Sequence, residues 1–312
     1  MIDTRPATAP APAKERSRAG ARRAAPARTQ GRMGVVFVSG YVLFLLAFGI
    51  GPSLYAVVLA FTQDGSFVGF DNFLRVFADY RFLPAVGHVA LYIVVWLVSL
   101  IVLVVLLALL VHAIRTRWVS MSVRFLYYIP GALAGASSVL LWLFVLDPSV
   151  SPVSFLLRAL GNESFVQVLR VDTLHVVLAI IAFWTGAGGW VVIMYGALNN
   201  ISTDVMEAAR IDGAGPVQTA LHIQIPLLRK WISYMAIMSL AAGTQLFVEP
   251  RVLAQASRGV VGQDYSLNQL AFLYAFRQND FHGSAAISIV LLVVALGLSA
   301  FFVFRGGLFE RD

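Results

Sequence analysis

Six stretches free of Asp, Glu, Lys and Arg dominate the chain, at residues 34–62, 89–111, 125–146, 176–198, 231–248 and 283–304. A helix rises about 1.5 Å per residue, so about 20 apolar residues cross a hydrocarbon core about 30 Å thick. Each stretch is close to one crossing. Only 12% of the 312 residues are charged, against about 25% in soluble domains, and the mean hydropathy is +0.80. The pattern predicts an all-α, polytopic integral membrane protein with six transmembrane helices, and it excludes a water-soluble fold. Pro52 is expected to distort the first stretch. The fifth is the shortest and carries Ser233, Ser239, Gly243, Thr244 and Gln245, so it is expected to face protein or a cavity rather than lipid.

Orientation follows from the basic residues of the connections. Eight precede the first stretch: Arg5, Lys14, Arg16, Arg18, Arg22, Arg23, Arg28 and Arg32. Placing that end in the cytoplasm puts Arg115, Arg117, Arg124, Arg210, Arg229, Lys230, Arg305 and Arg311 on the same side, sixteen in all. Seven fall opposite: Arg75, Arg81, Arg158, Arg170, Arg251, Arg258 and Arg277. Both termini are therefore expected in the cytoplasm, mainly on the weight of the tail. Residues 1–32, rich in Ala, Pro and Arg with little to bury, are expected to be a disordered basic cytoplasmic tail that fixes topology or binds anionic lipid. Residues 33–312 are expected to form one six-helix membrane domain. The first apolar stretch far exceeds the core of a cleaved signal, about 7–15 residues, and is expected to persist as the first helix.

Several chemistries are missing. Cysteine is absent, which excludes disulfides and thiolate chemistry. His88, His112, His175, His222 and His282 share no metal-ligand spacing on one helix, so no metal is expected. No Gly-x-x-x-x-Gly-Lys-Ser/Thr loop exists to cradle phosphates. None of the six stretches holds a carboxylate, the group that marks intramembrane proton relays at a cost of about 2.5–3.5 kcal/mol. This weighs against the alternative class, an ion-coupled secondary transporter or channel acting alone, and against an intramembrane enzyme.

The connection between the fourth and fifth stretches reads as a short capped helix. Asp204 is placed to accept from first-turn amides, Glu207 follows three residues on as in a capping box, and both acids favour the positive helix end. Gly213 fits a left-handed stop, with Pro216 beyond it. Val205, Ala208, Ala209 and Ile211 give a small apolar face over about two turns, too short to be stable alone. Such a helix is expected to dock on a partner.

Glu207-Ala208-Ala209, Gly213 six positions after the Glu, and Ile223-Gln224-Ile225-Pro226 resemble the EAA signature of permease subunits in bacterial binding-protein-dependent ABC importers, with Ile225 in place of the usual Leu. Phe67-Val68-Gly69-Phe70-Asp71-Asn72-Phe73 is similar to the segment after the first helix in the larger permease subunits of the maltose and glycerol-3-phosphate type. Arg124-Phe125-Leu126 through Ile129-Pro130 resembles the entry to their third core helix, and Phe281-His282-Gly283-Ser284-Ala285-Ala286 the start of their last. Leu253-Ala254-Gln255-Ala256-Ser257-Arg258-Gly259 departs from their usual Leu-Thr-x-Gly-Gly-Pro, so that external loop is expected to differ in shape.

The resemblance implies a type I ABC importer permease fold in the bacterial inner membrane, without catalytic residues. It implies a translocation pathway for a sugar, oligosaccharide or related polar solute delivered by an external solute-binding protein. The implied partners are a second EAA-type permease subunit, forming a heterodimer, and two ATP-binding subunits that hold ATP and Mg. This chain would hold no cofactor and bind no nucleic acid. The loop of residues 199–228 would be the coupling element, with Glu207, Ala208, Ala209, Arg210, Asp212, Gly213 and Ala214 against the ATP-binding subunit.

By the same resemblance the solute contacts fall on Gly131 and Gly135 of the third stretch, on Thr185, Gly186 and Gly189 of the fourth, and on Ser239, Gly243 and Leu246 of the fifth. Five of these eight are glycine, which implies a wide, weakly specific passage. Trp184, Trp190, Thr185, Thr244 and Gln245 flank those positions and offer stacking faces and hydrogen bonds. Close packing is the competing reading, because Gly131-x-x-x-Gly135 is the small-xxx-small spacing that lets helices approach. Packing in the core or at the lipid interface is the competing role of the tryptophans. Glu249 and Arg251 are expected to form a surface or interhelical pair.

Overall fold

The computed structural model describes residues 37–133 and 135–305. They fall in two compact units, Met1–Ser53 and Leu54–Asp312. The basic tail of residues 1–32 lies outside the described residues. In chain order the helices are α1 (Phe37–Phe61), α2 (Asp71–Phe77), α3 (Phe82–Ala113), α4 (Arg117–Tyr128), α5 (Gly135–Leu146), α6 (Leu174–Asn199), α7 (Thr203–Ile211), α8 (Arg229–Gly243), α9 (Val248–Ala256), α10 (Leu267–Arg277) and α11 (Phe281–Arg305). Helices of one or two turns lie between the longer ones.

In the first unit every described residue of α1 is exposed. The distortion expected near Pro52 takes the form of a π-helical turn over Leu45–Ile50, closed by the Gly51 N–H donating to the Leu46 carbonyl. One residue past the proline, the Ser53 hydroxyl donates to the Gly49 carbonyl at 2.8 Å. Pro52 cannot donate, and widening the turn redistributes the freed carbonyls.

Among the described residues, α1, α3, α6 and α11 are each long and apolar enough to cross a membrane alone. The third and fifth stretches differ from the single helices expected. The third is a bent pair: α4 continues through a 3-10 turn, Ile129–Ala132, and α5 is inclined to it by 104°. Pro130 has no N–H to donate within that turn, and the chain leaves it at Leu133, whose backbone is extended at φ −77° and ψ 122°. The fifth is α8 and α9, bent by 45°. At 15 residues α8 is about 22 Å long, and Glu249 and Arg251 lie on α9, past the bend.

A broken span frees backbone groups that lipid cannot satisfy, and α10 supplies the partners. Asn268 Nδ2 donates to the Thr244 carbonyl at 3.0 Å, and the buried Ser266 hydroxyl donates to the Leu246 carbonyl at 2.7 Å. Ser266 also caps α10, accepting from the Gln269 N–H while the Gln269 side chain accepts from the Ser266 N–H. That Ser-x-x-Gln box is legible in the sequence; its second task, on a carbonyl twenty residues upstream, is not.

Two apolar cores organise the second unit. The larger joins α3, α6 and α8. Tyr92, Trp96, Leu100, Val104 and Ala108 form a row at four-residue spacing on α3 that meets Leu174, Leu178, Ile181, Val191, Met194 and Leu198 of α6, a ridge-into-groove contact of the kind this spacing produces. The smaller gathers Ala60, Phe73, Val76, Phe82, Leu270, Tyr274, Ala286 and Ile287, joining the end of α1 to α2, α3, α10 and α11. Between α1 and α2 a hairpin pairs Thr62 with Phe67 across Asp64 and Gly65, both at positive φ (48° and 81°). Asp-Gly is a strong two-residue hairpin signal.

An ion pair fastens this smaller core from outside. Arg81 lies 2.6 Å from Asp79 Oδ2, and the Tyr274 hydroxyl donates to the same oxygen at 2.7 Å. The Arg81 bond, with help from Tyr274, holds the Asp79 carboxyl well below the ordinary carboxylate range, while burial and Asp79 push the Tyr274 hydroxyl up to about 12. A depressed carboxylate contributes stability that is complete above the unfolded value, near ~4, and is lost as pH falls through the native value.

Two predictions follow from these contacts. Asp79→Asn leaves the mostly buried Arg81 unpaired and is expected to cost about 3 kcal/mol at pH 7; thermal unfolding of the purified subunit should show the gap from wild type narrowing as pH drops below ~4. Ser266→Ala is expected to cost about 1–3 kcal/mol by orphaning a buried carbonyl, with a shift in the same assay.

Candidate functional site

The loop between α6 and α8 builds an exposed platform. α7 starts one residue before Asp204, and its N-cap is Ser202, with no side-chain hydrogen bond to the first-turn amides. The capping box expected from Asp204 and Glu207 is therefore absent. Asp204 sits in the first turn, where its charge still favours the helix dipole.

The far end is as expected. Gly213 adopts φ +76°, its N–H donates to the Arg210 carbonyl at 3.1 Å, and the Ala214 N–H reaches the Ala209 carbonyl at 2.9 Å. That paired closure is the Schellman stop. Pro216 then opens the next helix behind Gly215.

The apolar face divides. Ala209 turns inward and is buried, while Val205, Ala208 and Ile211 are exposed, Ile211 by 86%. Val217, Leu221 and Leu227 extend the exposed apolar surface along the loop. Glu207, Arg210 and Asp212 are also exposed, and no ion pair forms among them. Across the membrane side of this loop, the Arg124 guanidinium stacks 4.0 Å from the Tyr195 ring centroid, tying the start of the third crossing to the end of α6.

The pathway positions separate into two groups. Gly135, Gly186 and Gly189 have open space where a Cβ would stand, and Gln245 is exposed. The others are engaged within the chain. A Cβ on Gly131 would stand 3.0 Å from the Thr185 carbonyl, and one on Gly243 2.9 Å from the Trp96 ring. The Thr185 hydroxyl donates back to the Ile181 and Ala182 carbonyls at 3.1 Å, and that of Thr244 to Ala241 at 2.8 Å.

Ser239 and Leu246 are buried, and the Ser239 hydroxyl has no partner. Trp190 meets Tyr234 edge-on at 5.8 Å, and Trp184 meets Trp142 at the same distance. Gly131 and Gly135 do not form one small-xxx-small face, because the break between α4 and α5 separates them. Arg251 does not pair with Glu249; its guanidinium lies 3.9 Å from the Phe272 ring centroid instead.

The tightest approach falls on a glycine that the spacing does not single out. A Cβ on Gly188 would collide with the Tyr127 carbonyl, so only glycine admits α4 against α6 there. Four glycines crowd residues 186–196, and no local pattern distinguishes the one that a neighbouring backbone crosses. Among the described residues no group of three or more His, Asp or Glu is placed to hold a metal ion.

Among the described residues, four helices long and apolar enough to cross a membrane and two bent pairs, with an exposed, glycine-closed helix between the fourth and fifth, define a multi-pass membrane protein. A family model described as binding-protein-dependent transport system inner membrane component matches residues 71–306, and the chain belongs to that family. It is a permease subunit of an ABC importer, a multi-pass inner-membrane protein that works with a solute-binding protein, holds no cofactor itself and carries no ATPase activity of its own. That assignment displaces the alternative of a carrier or channel acting alone.

Relatives include the probable ABC transporter permease protein YurN of Bacillus subtilis, 26% identical over 244 residues, 77% of this chain and 82% of that one. The arabinooligosaccharides transport system permease protein AraP of Halalkalibacterium halodurans is 24% identical over 285 residues, 88% of each chain. The sn-glycerol-3-phosphate transport system permease protein UgpA of Yersinia pestis is 28% identical over 242 residues, 77% of this chain and 80% of that one. The fold matches a crystal structure of a bacterial ABC transporter involved in the import of the acidic polysaccharide alginate, with a TM-score of 0.78 at 18% identity, covering 91% of this chain and 98% of that one.

Gly188→Ala is expected to destabilise the subunit by about 1–3 kcal/mol through overpacking. Gly189→Ala, with nothing within 4 Å, should stay within about 0.5 kcal/mol. Thermal midpoints of the two variants side by side check the contrast.

Proposed function

We propose that this subunit forms part of the passage for a sugar, oligosaccharide or related polar solute, and that α7 transmits the motion of a partner ATP-binding subunit. The carrying observation is the loop itself: a two-turn helix closed at Gly213, its Ile211 86% exposed, too short to be stable without a docking partner. In this reading Glu207, Arg210 and Asp212 supply the polar rim of the docked face. Ala208 and Ile211 supply its apolar centre, Ala209 packs α7 back onto the membrane domain, and Gly213 with Ala214 fixes the exit of the chain. The family assignment and the likeness to the arabinooligosaccharides permease AraP support the solute class.

The complete importer in this reading pairs the chain with a second, different EAA-type permease and with two ATP-binding subunits that hold ATP and Mg. Both termini face the cytoplasm, with the basic tail as topology anchor. The open positions Gly135, Gly186, Gly189 and Gln245 fit a wide passage in which the external binding protein sets most of the selectivity. Ser239, Gly243 and Thr244, engaged within the chain, take the part of supporting the pathway wall.

Glu207→Arg and Gly213→Asp test the coupling. Each is expected to lower ATP-driven uptake by at least about tenfold, the effect of ~1.4 kcal/mol of lost docking free energy, with normal amounts of subunit inserted in the membrane. Wild-type uptake by either variant, measured alongside ATPase activity of the purified complex, would overturn this role for α7.

A further inference from the structure

The membrane crossings account for most of the exposed apolar surface, but α2 also exposes large apolar side chains although it lies outside every crossing. This seven-residue helix divides into three strips. Asn72, Phe73 and Val76 are buried against the smaller core. Asp71 and Arg75 are exposed and charged, with Arg75 bound to Asp280 at 3.1 Å. Phe70, Leu74 and Phe77, spaced four and three residues apart, form an outward row exposed by 68%, 63% and 47%. Phe67 on the hairpin and Tyr80 just past the helix extend the row, exposed by 78% and 85%.

The position of this row limits what can cover it. α1 ends at Phe61 and α3 begins at Phe82, so α2 hangs between the outer ends of two crossings. The junctions are aromatic: Phe61 lies 5.4 Å from Phe70 and 5.1 Å from Phe73, and Phe77 lies 5.1 Å from Phe82. The Asn72 side-chain amide donates to the Ala60 and Thr62 carbonyls at 3.0 Å each, which fixes α2 to the end of α1. The exposed row therefore continues the lipid-facing surface of both crossings, where Leu83 is 72% exposed, at the level where the chain passes from hydrocarbon to water. Aromatic side chains beside charged ones are the chemistry of that boundary.

We propose that α2 is an interfacial anchor: Phe67, Phe70, Leu74, Phe77 and Tyr80 seat in the outer-leaflet headgroup boundary of the lipid surface, with Asp71 and Arg75 turned to water. Through Asn72 and the Arg75–Asp280 pair the anchor also sets the depth of the α10–α11 corner. The inference rests on the assignment of the crossings and, for the choice of leaflet, on the orientation proposed above, and not on the solute or the coupling role proposed for α7.

The chain has no cysteine, so a spin label can be placed at one position by Leu74→Cys and, as a control, at Asp71→Cys. The assembled importer is reconstituted in lipid nanodiscs, and collision of each label with molecular oxygen, which concentrates in lipid, is compared with collision with a water-soluble nickel chelate. We expect the oxygen-to-nickel ratio at residue 74 to be severalfold higher than at residue 71. A label at 74 as open to nickel as the one at 71 means a water-facing row and overturns the anchor. A label at 74 shielded from both reagents means that another protein covers the row, and overturns it equally. Uptake by both labelled variants is measured in parallel, so a failure of the transport reading is seen separately.

Discussion

Everything in this structure depends on the rule that a backbone carbonyl or amide inside a membrane must find a protein partner. Four crossings obey it with continuous helices. The other two are interrupted, and the fifth shows how the interruption is sustained. The carbonyls freed between α8 and α9 are met by Ser266 and Asn268 from the first turn of α10, a helix outside the membrane in sequence order. The break is thus a built feature, held by residues that serve a helix cap as well.

The same economy governs the close contacts. Gly188 lets the backbone at Tyr127 lie directly on α6, and Gly131 meets the Thr185 carbonyl nearby. These glycines bring the bent third crossing against the fourth, while Arg124 stacked on Tyr195 ties the start of the third to the end of the fourth. The loop that follows α6 starts from a rigid base, as a helix of two turns requires if it is to carry force from a partner subunit.

At the opposite ends of the crossings the smaller core plays the corresponding part. Asp79, Arg81 and Tyr274 join the α2–α3 connection to α10, and α10 in turn holds the break in the fifth crossing. Ion pair, capped helix and broken span thus form one connected chain of contacts.

The sequence made the class, the crossings and the loop helix legible, because hydropathy blocks about 20 residues long and a glycine stop followed by proline are local patterns with a physical meaning, while the Glu-Ala-Ala carried a family resemblance. It also held the Asp64-Gly65 turn and the Ser266–Gln269 cap in readable form. Tertiary structure alone decided where the third and fifth crossings break. It also decided that Ser202 rather than Asp204 opens α7, that Arg251 lies on Phe272 rather than beside Glu249, and which glycine in a crowded run meets another backbone. Those outcomes depend on neighbours distant in sequence: a carbonyl accepts whichever donor the fold brings within 3 Å, and a glycine matters only where another chain segment passes.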